Sequence, residues 1–207
     1  MSEVAWQPQI GPQSSAIRAR AIADELFFGG ARGPGKTQFI LGDFLYDLDQ
    51  GTTWQGVLFR RSYPELDEVI RASMEIYPKT GGEYKVGQHT WKWPNGAQLA
   101  LRHIDTPFDA AHYQGHSYSF IAWDELPNWP DLIAYKRLKA TLRGNARNKR
   151  IRATGNPGGP GHHAVSEYFQ IADHPEGNPL IVDGETVMTR MFIRGRVSDN
   201  KILLKND

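Results

Sequence analysis

The octet Gly30-Ala31-Arg32-Gly33-Pro34-Gly35-Lys36-Thr37 constrains this chain more than any other stretch. It satisfies G-x-x-x-x-G-K-S/T at every fixed position and follows the apolar run Leu26-Phe27-Phe28, which reads as a buried strand. Glycines at those positions let the backbone curl until successive N–H groups point inward, and a helix beginning near Lys36 adds the positive end of its dipole. Strand, glycine turn and helix start make a cradle for phosphate oxygens, so the whole octet is a candidate nucleotide-binding loop. Lys36 is placed to reach the β- and γ-phosphates, and Thr37 to put its hydroxyl on Mg²⁺.

With 207 residues there is room for one full core and at most a short appendage. Charged residues make up 23% and apolar ones 40%, and no run approaches the roughly 18 apolar residues of a membrane span, so a soluble protein is expected. The start, Met1-Ser2-Glu3-Val4-Ala5-Trp6, has no basic region followed by an apolar segment and reads as no secretory signal. Without cysteine there is no disulfide framework and no thiolate metal site, which fits a reducing compartment. The histidines His103, His112, His116, His162 and His163 follow no familiar ligand spacing and read as surface or loop residues. A net charge of +1 does not advertise nucleic acid, yet Arg137, Lys139, Arg143, Arg147, Lys149, Arg150 and Arg152 crowd one stretch. That stretch is either a phosphate-facing patch or solvated element faces.

The expected elements alternate. After an extended, proline-bearing lead-in, Ser14 to Ala23 reads as a short helix before the first strand. Phe39, Ile40, Phe44, Leu45 and Leu48 recur at helical spacing until Gln50-Gly51. A strand at Gly56-Val57-Leu58-Phe59-Arg60 and a helix through Leu66, Val69, Ile70 and Met74 complete a β-α-β-α pattern, the signature of a parallel sheet covered by helices. Thr90-Trp91-Lys92-Trp93, then Pro94-Asn95-Gly96, then Ala97-Gln98-Leu99-Ala100-Leu101 reads as an antiparallel hairpin extension. Its tryptophans are expected to pack on the hairpin face rather than stack on DNA bases. Strands follow at Ser119 to Trp123, Arg150 to Thr154 and Val187 to Arg194, with helices over Leu132 to Leu142 and Val165 to Ile171.

Two further constellations carry chemistry. Phe120-Ile121-Ala122-Trp123-Asp124-Glu125 is an apolar strand ending in two carboxylates, a Walker B pattern. Ligands of open α/β sheets bind beyond the carboxyl ends of the strands, so a strand neighbouring the phosphate-loop strand would bring both acids to the phosphates. Asp124 would hold Mg²⁺ and Glu125 would polarise the attacking water, a role that hydrolysis needs and nucleotide kinases do not. Ala153-Thr154-Gly155-Asn156-Pro157-Gly158-Gly159 runs from a strand into a glycine-rich loop, where a polar side chain could sense the γ-phosphate.

The octet, Tyr113-Gln114-Gly115 ahead of Trp123-Asp124-Glu125-Leu126, and Ala153 to Gly159, in that order and spacing, resemble the large terminase subunit of tailed double-stranded DNA bacteriophages, from Trp6 to Asn200. The resemblance implies an α/β P-loop NTPase of the ASCE type, the acid-bearing strand lying between the phosphate-loop strand and its sequence neighbour. It implies a single ATPase domain over residues 1–207, with 1–23 as an adenine-side lead-in, that drives double-stranded DNA into a procapsid using ATP and Mg²⁺. Implied partners are DNA, a portal protein, a small terminase subunit and copies of the chain in a ring, pentameric by the same resemblance, in the host cytoplasm.

Carried over by residue, Lys36, Glu125 and Arg32 are catalytic, Thr37 and Asp124 bind the metal, and Thr154, Gly155 and Asn156 form the coupling motif. Gln13 falls where the family reads adenine, with Gln7 and Gln9 as competitors. Gln114 stands where some terminases carry an arginine acting in trans, so Arg143 becomes the first candidate for that finger, ahead of Arg137 and Arg102. Two other readings stay open here: a different P-loop enzyme, such as a helicase-like translocase or nucleotide kinase, and a nucleotide-binding assembly module without hydrolysis of its own. The acidic cluster of the family's nuclease domain is not visible before Asp207, so no metal-dependent DNA cleavage is expected. Pure protein incubated with plasmid and Mn²⁺ should leave it supercoiled; robust nicking would contradict that expectation.

Overall fold

The computed structural model describes residues 4–31, 33, 35–177, 181–182 and 188–199. Its strands are β1 (Glu25–Gly30), β2 (Gln55–Arg60), β3 (Glu83–Lys85), β4 (Thr90–Lys92), β5 (Gln98–His103), β6 (Phe120–Trp123), β7 (Arg150–Gly155), β8 (Ile181–Val182) and β9 (Thr189–Gly195). They form one nine-stranded sheet in the order β3-β4-β5-β2-β6-β7-β1-β9-β8. From β5 to β9 every pairing is parallel; β3 and β4 extend one edge antiparallel and β8 the other. Helices α1 (Pro12–Arg18), α2 (Lys36–Leu45), α3 (Tyr63–Ile76), α4 (Ile133–Lys139) and α5 (His162–Tyr168) cover the sheet, and none is long and apolar enough to cross a membrane among the described residues.

Strand periodicity sorts the core into two layers. Leu26, Phe28, Leu58, Phe120 and Ala122 face α1, α2 and α3, while Phe27, Val57, Phe59, Ile121 and Trp123 face α4 and α5. Because both faces are covered, the central strands are buried along nearly their whole length, which is why they read as continuous apolar runs. The hairpin tryptophans are interior: Trp91 donates its indole N–H to Ser73 Oγ at 2.9 Å and Trp93 to Thr80 Oγ1 at 2.9 Å, as the packing expectation requires.

The expected topology is present, with β6 between β1 and its sequence neighbour β2 and an antiparallel extension at one edge, and two details refine it. The hairpin is present, but its second strand, β5, pairs parallel with β2 in register Gln55↔Gln98 and so belongs to the main sheet. The acid-bearing strand β6 does not neighbour β1, because β7 is inserted between them. The order of strands along the chain held no hint of that insertion, since β7 comes last of the three.

Part of the basic stretch is turned inward, while Arg137, Arg143, Arg147 and Lys149 are exposed. Arg152 is fully buried with its Nε on Asp43 Oδ2 at 2.8 Å, and Asp43 and Asp47 both pair with Arg20. Arg150 reaches Asp47 at 3.1 Å, while Lys139 pairs with the buried Glu25. Burial pulls the Arg152 guanidinium below its ordinary value, and the Asp43 carboxylate opposes that pull. The network bolts α2, which starts at the glycine loop after β1, to β7, which ends at the loop beginning with Asn156. Removing one partner of such a buried set strands an uncompensated charge, so Asp43→Ala should cost about 3–5 kcal/mol of unfolding free energy. Urea denaturation checks this; a loss below about 1 kcal/mol, the size of a surface pair, would contradict it.

Candidate active site

Loop conformation at the end of β1 follows from its glycines. Gly30 has φ of 129°, and a Cβ there would lie 2.0 Å from the Gly195 carbonyl oxygen. Gly35, at φ of 72°, caps α2 in the left-handed region, where a Cβ would meet the Gln13 amide nitrogen at 2.4 Å. Gly30, Ala31, Gly33, Gly35, Lys36 and Thr37 are all placed between β1 and the first turn of α2. Arg32 and Pro34 lie outside the described residues.

Two linked sets of polar contacts meet at this loop. In one, the fully buried Asp124 accepts from Thr37 Oγ1 at 2.9 Å through Oδ2 and from the Thr154 hydroxyl through Oδ1. The Thr154 hydroxyl also accepts the Glu125 backbone N–H at 3.2 Å. In the other, Lys36 Nζ donates to Ala31 O at 2.7 Å and to Asn156 Oδ1 at 2.8 Å. Asn156 then donates its backbone N–H to Glu125 Oε2 at 3.0 Å and its Nδ2 to Oε1 at 2.8 Å. One asparagine thus connects the loop lysine to the second acid of β6. The loop residues on β1 and α2, both acids and Thr154-Gly155-Asn156 come together across three adjacent strands.

Glu125 is in the left-handed region at φ of 60°, unusual for a non-glycine residue. That backbone turn follows directly on β6 and opens a short 3₁₀ turn over Leu126–Asn128. Burial, and then the adjacent Asp124 carboxylate, raise the Glu125 carboxyl above the usual carboxylate range; Lys36, the Asn156 N–H and Arg60 pull the other way. A carboxylate made more basic in this way is a better proton acceptor near neutral pH.

Arg60, at the carboxyl end of β2, is the site residue that sequence reading missed. It is 6% exposed, with Nε 2.8 Å and Nη2 2.7 Å from Asp124 Oδ2. No motif marks it; only the position of its strand beside β6 brings it to the acid. Lys36, Thr37, Arg60, Glu68, Glu125 and Asn156 line a cavity of about 400 Å³. The hydroxyl of Thr37 and the carboxylate of Asp124 form the all-oxygen, hard donor set suited to Mg²⁺, and phosphate oxygens would complete it.

A second cavity of about 370 Å³ lies on the other side of the loop, lined by Phe27, Pro127, Val165, Ile171 and Phe192. Though similar in size it offers mainly apolar wall, so the charged cavity is the one suited to a phosphate chain. Gln13 is buried and its amide is engaged: Nε2 donates to Gly35 O at 3.0 Å and Oε1 accepts from Gln9 N at 2.8 Å. It braces the lead-in against the loop, while its competitor Gln9 lines the phosphate cavity. Arg143 lies at the opposite end of β6, its guanidinium 3.3 Å from Gln114 O and the following Gly144 N–H on Tyr118 O. Arg102 holds carbonyls of the hairpin and Arg137 holds Pro107 O.

Phosphate loop on β1, carboxylates on β6 and an inserted polar strand β7 between them define a P-loop NTPase fold of the ASCE type. No protein-family profile and no curated protein matches the sequence. Solved structures do match in shape. The large terminase of a thermophilic bacteriophage superposes with a TM-score of 0.69 at 14% identity, over 94% of this chain and 47% of that one. The same terminase has also been solved in complex with ADP, matching with a TM-score of 0.68 at 15% identity over 96% of this chain and 49% of that chain. The large terminase ATPase domain of Thermus phage P74-26 gives 0.65 at 12% identity over 98% of this chain and 87% of that one. The N-terminal domain of the bacteriophage phi29 DNA-packaging ATPase gives 0.61 at 17% identity over 90% and 96%. The chain has the fold of phage large terminase ATPase domains and spans about half the length of the first of these terminases.

Because its pKa is raised, ionised Glu125 costs the folded state stability at pH 7, a cost relieved as pH falls through the folded pKa. Glu125→Gln removes that charge, so its melting temperature at pH 7 should fall no more than about 2 °C below the parent, and the gap should shift against the variant on acidification. A drop of about 8 °C at pH 7 would show instead that the ionised carboxylate holds the fold together.

Proposed function

We propose that this chain is the ATP-hydrolysing motor domain of a viral DNA-packaging terminase, converting ATP and water to ADP and phosphate while driving double-stranded DNA into a procapsid. The observation that carries the reading is the chain of contacts Lys36–Asn156–Glu125 beside Thr37–Asp124, at the carboxyl ends of strands in this fold. In this reading the loop N–H groups and Lys36 bind the β- and γ-phosphates, and Thr37 and Asp124 hold Mg²⁺, which neutralises phosphate charge when bound.

Lys36 Nζ cannot serve the phosphates and keep all its present contacts at full strength. Moving toward the phosphate chain, it gives up Asn156 Oδ1, and the freed asparagine loosens its double hold on Glu125. Glu125 can then orient a water and accept its proton on a carboxylate oxygen. Thr154, Gly155 and Asn156 would sense the terminal phosphate in this way and pass its presence into the loop that follows, the coupling role. Gln13 and its neighbour Gln9 support the adenine side, Arg32 supplies a further positive charge in the loop, and Arg143 acts on the adjoining subunit.

The proposed partners are DNA, a portal protein, a small terminase subunit and copies of this chain in a pentameric ring, working in the host cytoplasm; no nuclease activity is assigned to these residues. Motor rather than single-strand translocase is the reading that predicts stimulation of ATPase by duplex DNA. Mg²⁺-ATP turnover should fall at least about 100-fold in Glu125→Gln with nucleotide binding retained, and Lys36→Ala should lose binding itself. Measured by phosphate release and equilibrium dialysis, unchanged turnover in either variant would refute an ATPase at this site.

A further inference from the structure

Resting on the nucleotide-site reading, we infer that Arg60 is a ligand of the terminal phosphate supplied in cis by β2, held in place by Asp124. Among the described residues that line the phosphate cavity, Lys36 and Arg60 are the cations, and they come from different elements. Lys36 rises from α2 next to β1. Arg60 ends β2, separated from β1 by β6 and β7. Three strand gaps of about 4.8 Å are more than a triphosphate spans, but the Arg60 side chain reaches back over β6 to Asp124 Oδ2, the oxygen that also takes the Thr37 hydroxyl, so the last phosphate of a chain anchored at the loop is the one that meets it.

The guanidinium is oriented for that task. Nε and Nη2 both point at Asp124 Oδ2, and Nη2 has the exposed Glu68 carboxylate at 3.7 Å. Nη1 donates no hydrogen bond to a described residue, yet the side chain borders the cavity. A planar fork clamped along one edge presents its remaining N–H groups in a fixed direction, and arginine suits phosphate oxygens for that reason. Asp124 therefore has two duties: it pairs with the Thr37 hydroxyl through the same oxygen that fixes Arg60. The metal-side hydroxyl and the terminal-phosphate cation are linked through one carboxylate. The role is distinct from any arginine in the loop and from one donated by a neighbouring subunit.

The test compares affinities for ADP and for the imido analogue AMP-PNP, both with Mg²⁺, using fluorescent nucleotides on the full chain. Arg60→Gln should weaken AMP-PNP by about 10-fold or more, the worth of a charged hydrogen bond, while ADP affinity stays within about 3-fold. Arg60→Lys, which keeps the charge but loses the fork, should recover part of the preference. An unchanged ratio of the two affinities in Arg60→Gln overturns the inference, whatever happens to the melting temperature. If Arg60→Gln fails to fold, Arg60→Lys decides: equal weakening of both nucleotides overturns the role, and selective weakening of AMP-PNP supports it. Parent protein that binds neither nucleotide, or Lys36→Ala that binds both normally, overturns the nucleotide-site reading itself and this inference with it.

Discussion

Everything at the site turns on one buried carboxylate. Asp124 has no exposed surface, and its two oxygens join α2 through Thr37, β2 through Arg60 and β7 through Thr154. An ionised carboxylate away from water is tolerable only when paired and hydrogen-bonded, and here three different elements supply the partners. The geometry of Thr37 and Arg60 is therefore tied to the position of Asp124.

Beneath this polar cluster the sheet supplies rigidity of two kinds. Apolar layers on both faces fix the strands, and a second buried set, Arg20, Asp43, Asp47, Arg150 and Arg152, fixes α2 against β7 from the opposite end. The glycine loop after β1 and the loop that follows β7 hang from the ends of elements joined by that network. Between them stands Asn156, whose amide accepts from Lys36 with one end and donates to Glu125 with the other. In the proposed reaction this residue turns phosphate binding at Lys36 into release of the acid that activates water.

Sequence reading found what local chemistry dictates. The octet, the apolar strand ending in Asp124-Glu125, and Thr154-Gly155-Asn156 each carry their residues contiguously, so pattern and periodicity suffice. The family resemblance put β6 between β1 and β2, as found, but the residues themselves did not show the remaining strand neighbours. Insertion of β7 between β1 and β6 is a long-range pairing, and Arg60 joins the site only through that order. The inward part of the basic stretch was hidden for a related reason: Arg150 and Arg152 alternate with Ile151 on a central strand, and their partners Asp43 and Asp47 lie roughly a hundred residues away. Nothing local distinguishes an arginine facing such a carboxylate from one facing solvent.

The most direct test is a crystal structure of this chain with Mg²⁺ and AMP-PNP. Phosphates are expected on the N–H groups of residues 30–37, with Lys36 Nζ moved from Asn156 Oδ1 to the β- and γ-phosphates. The cation is expected on Thr37 Oγ1 and Asp124's side of the cavity, with Glu125 facing a water behind the terminal phosphate. Nucleotide lodged instead in the apolar cavity between Phe27 and Phe192, with Lys36 still bound to Asn156, would contradict that mechanism.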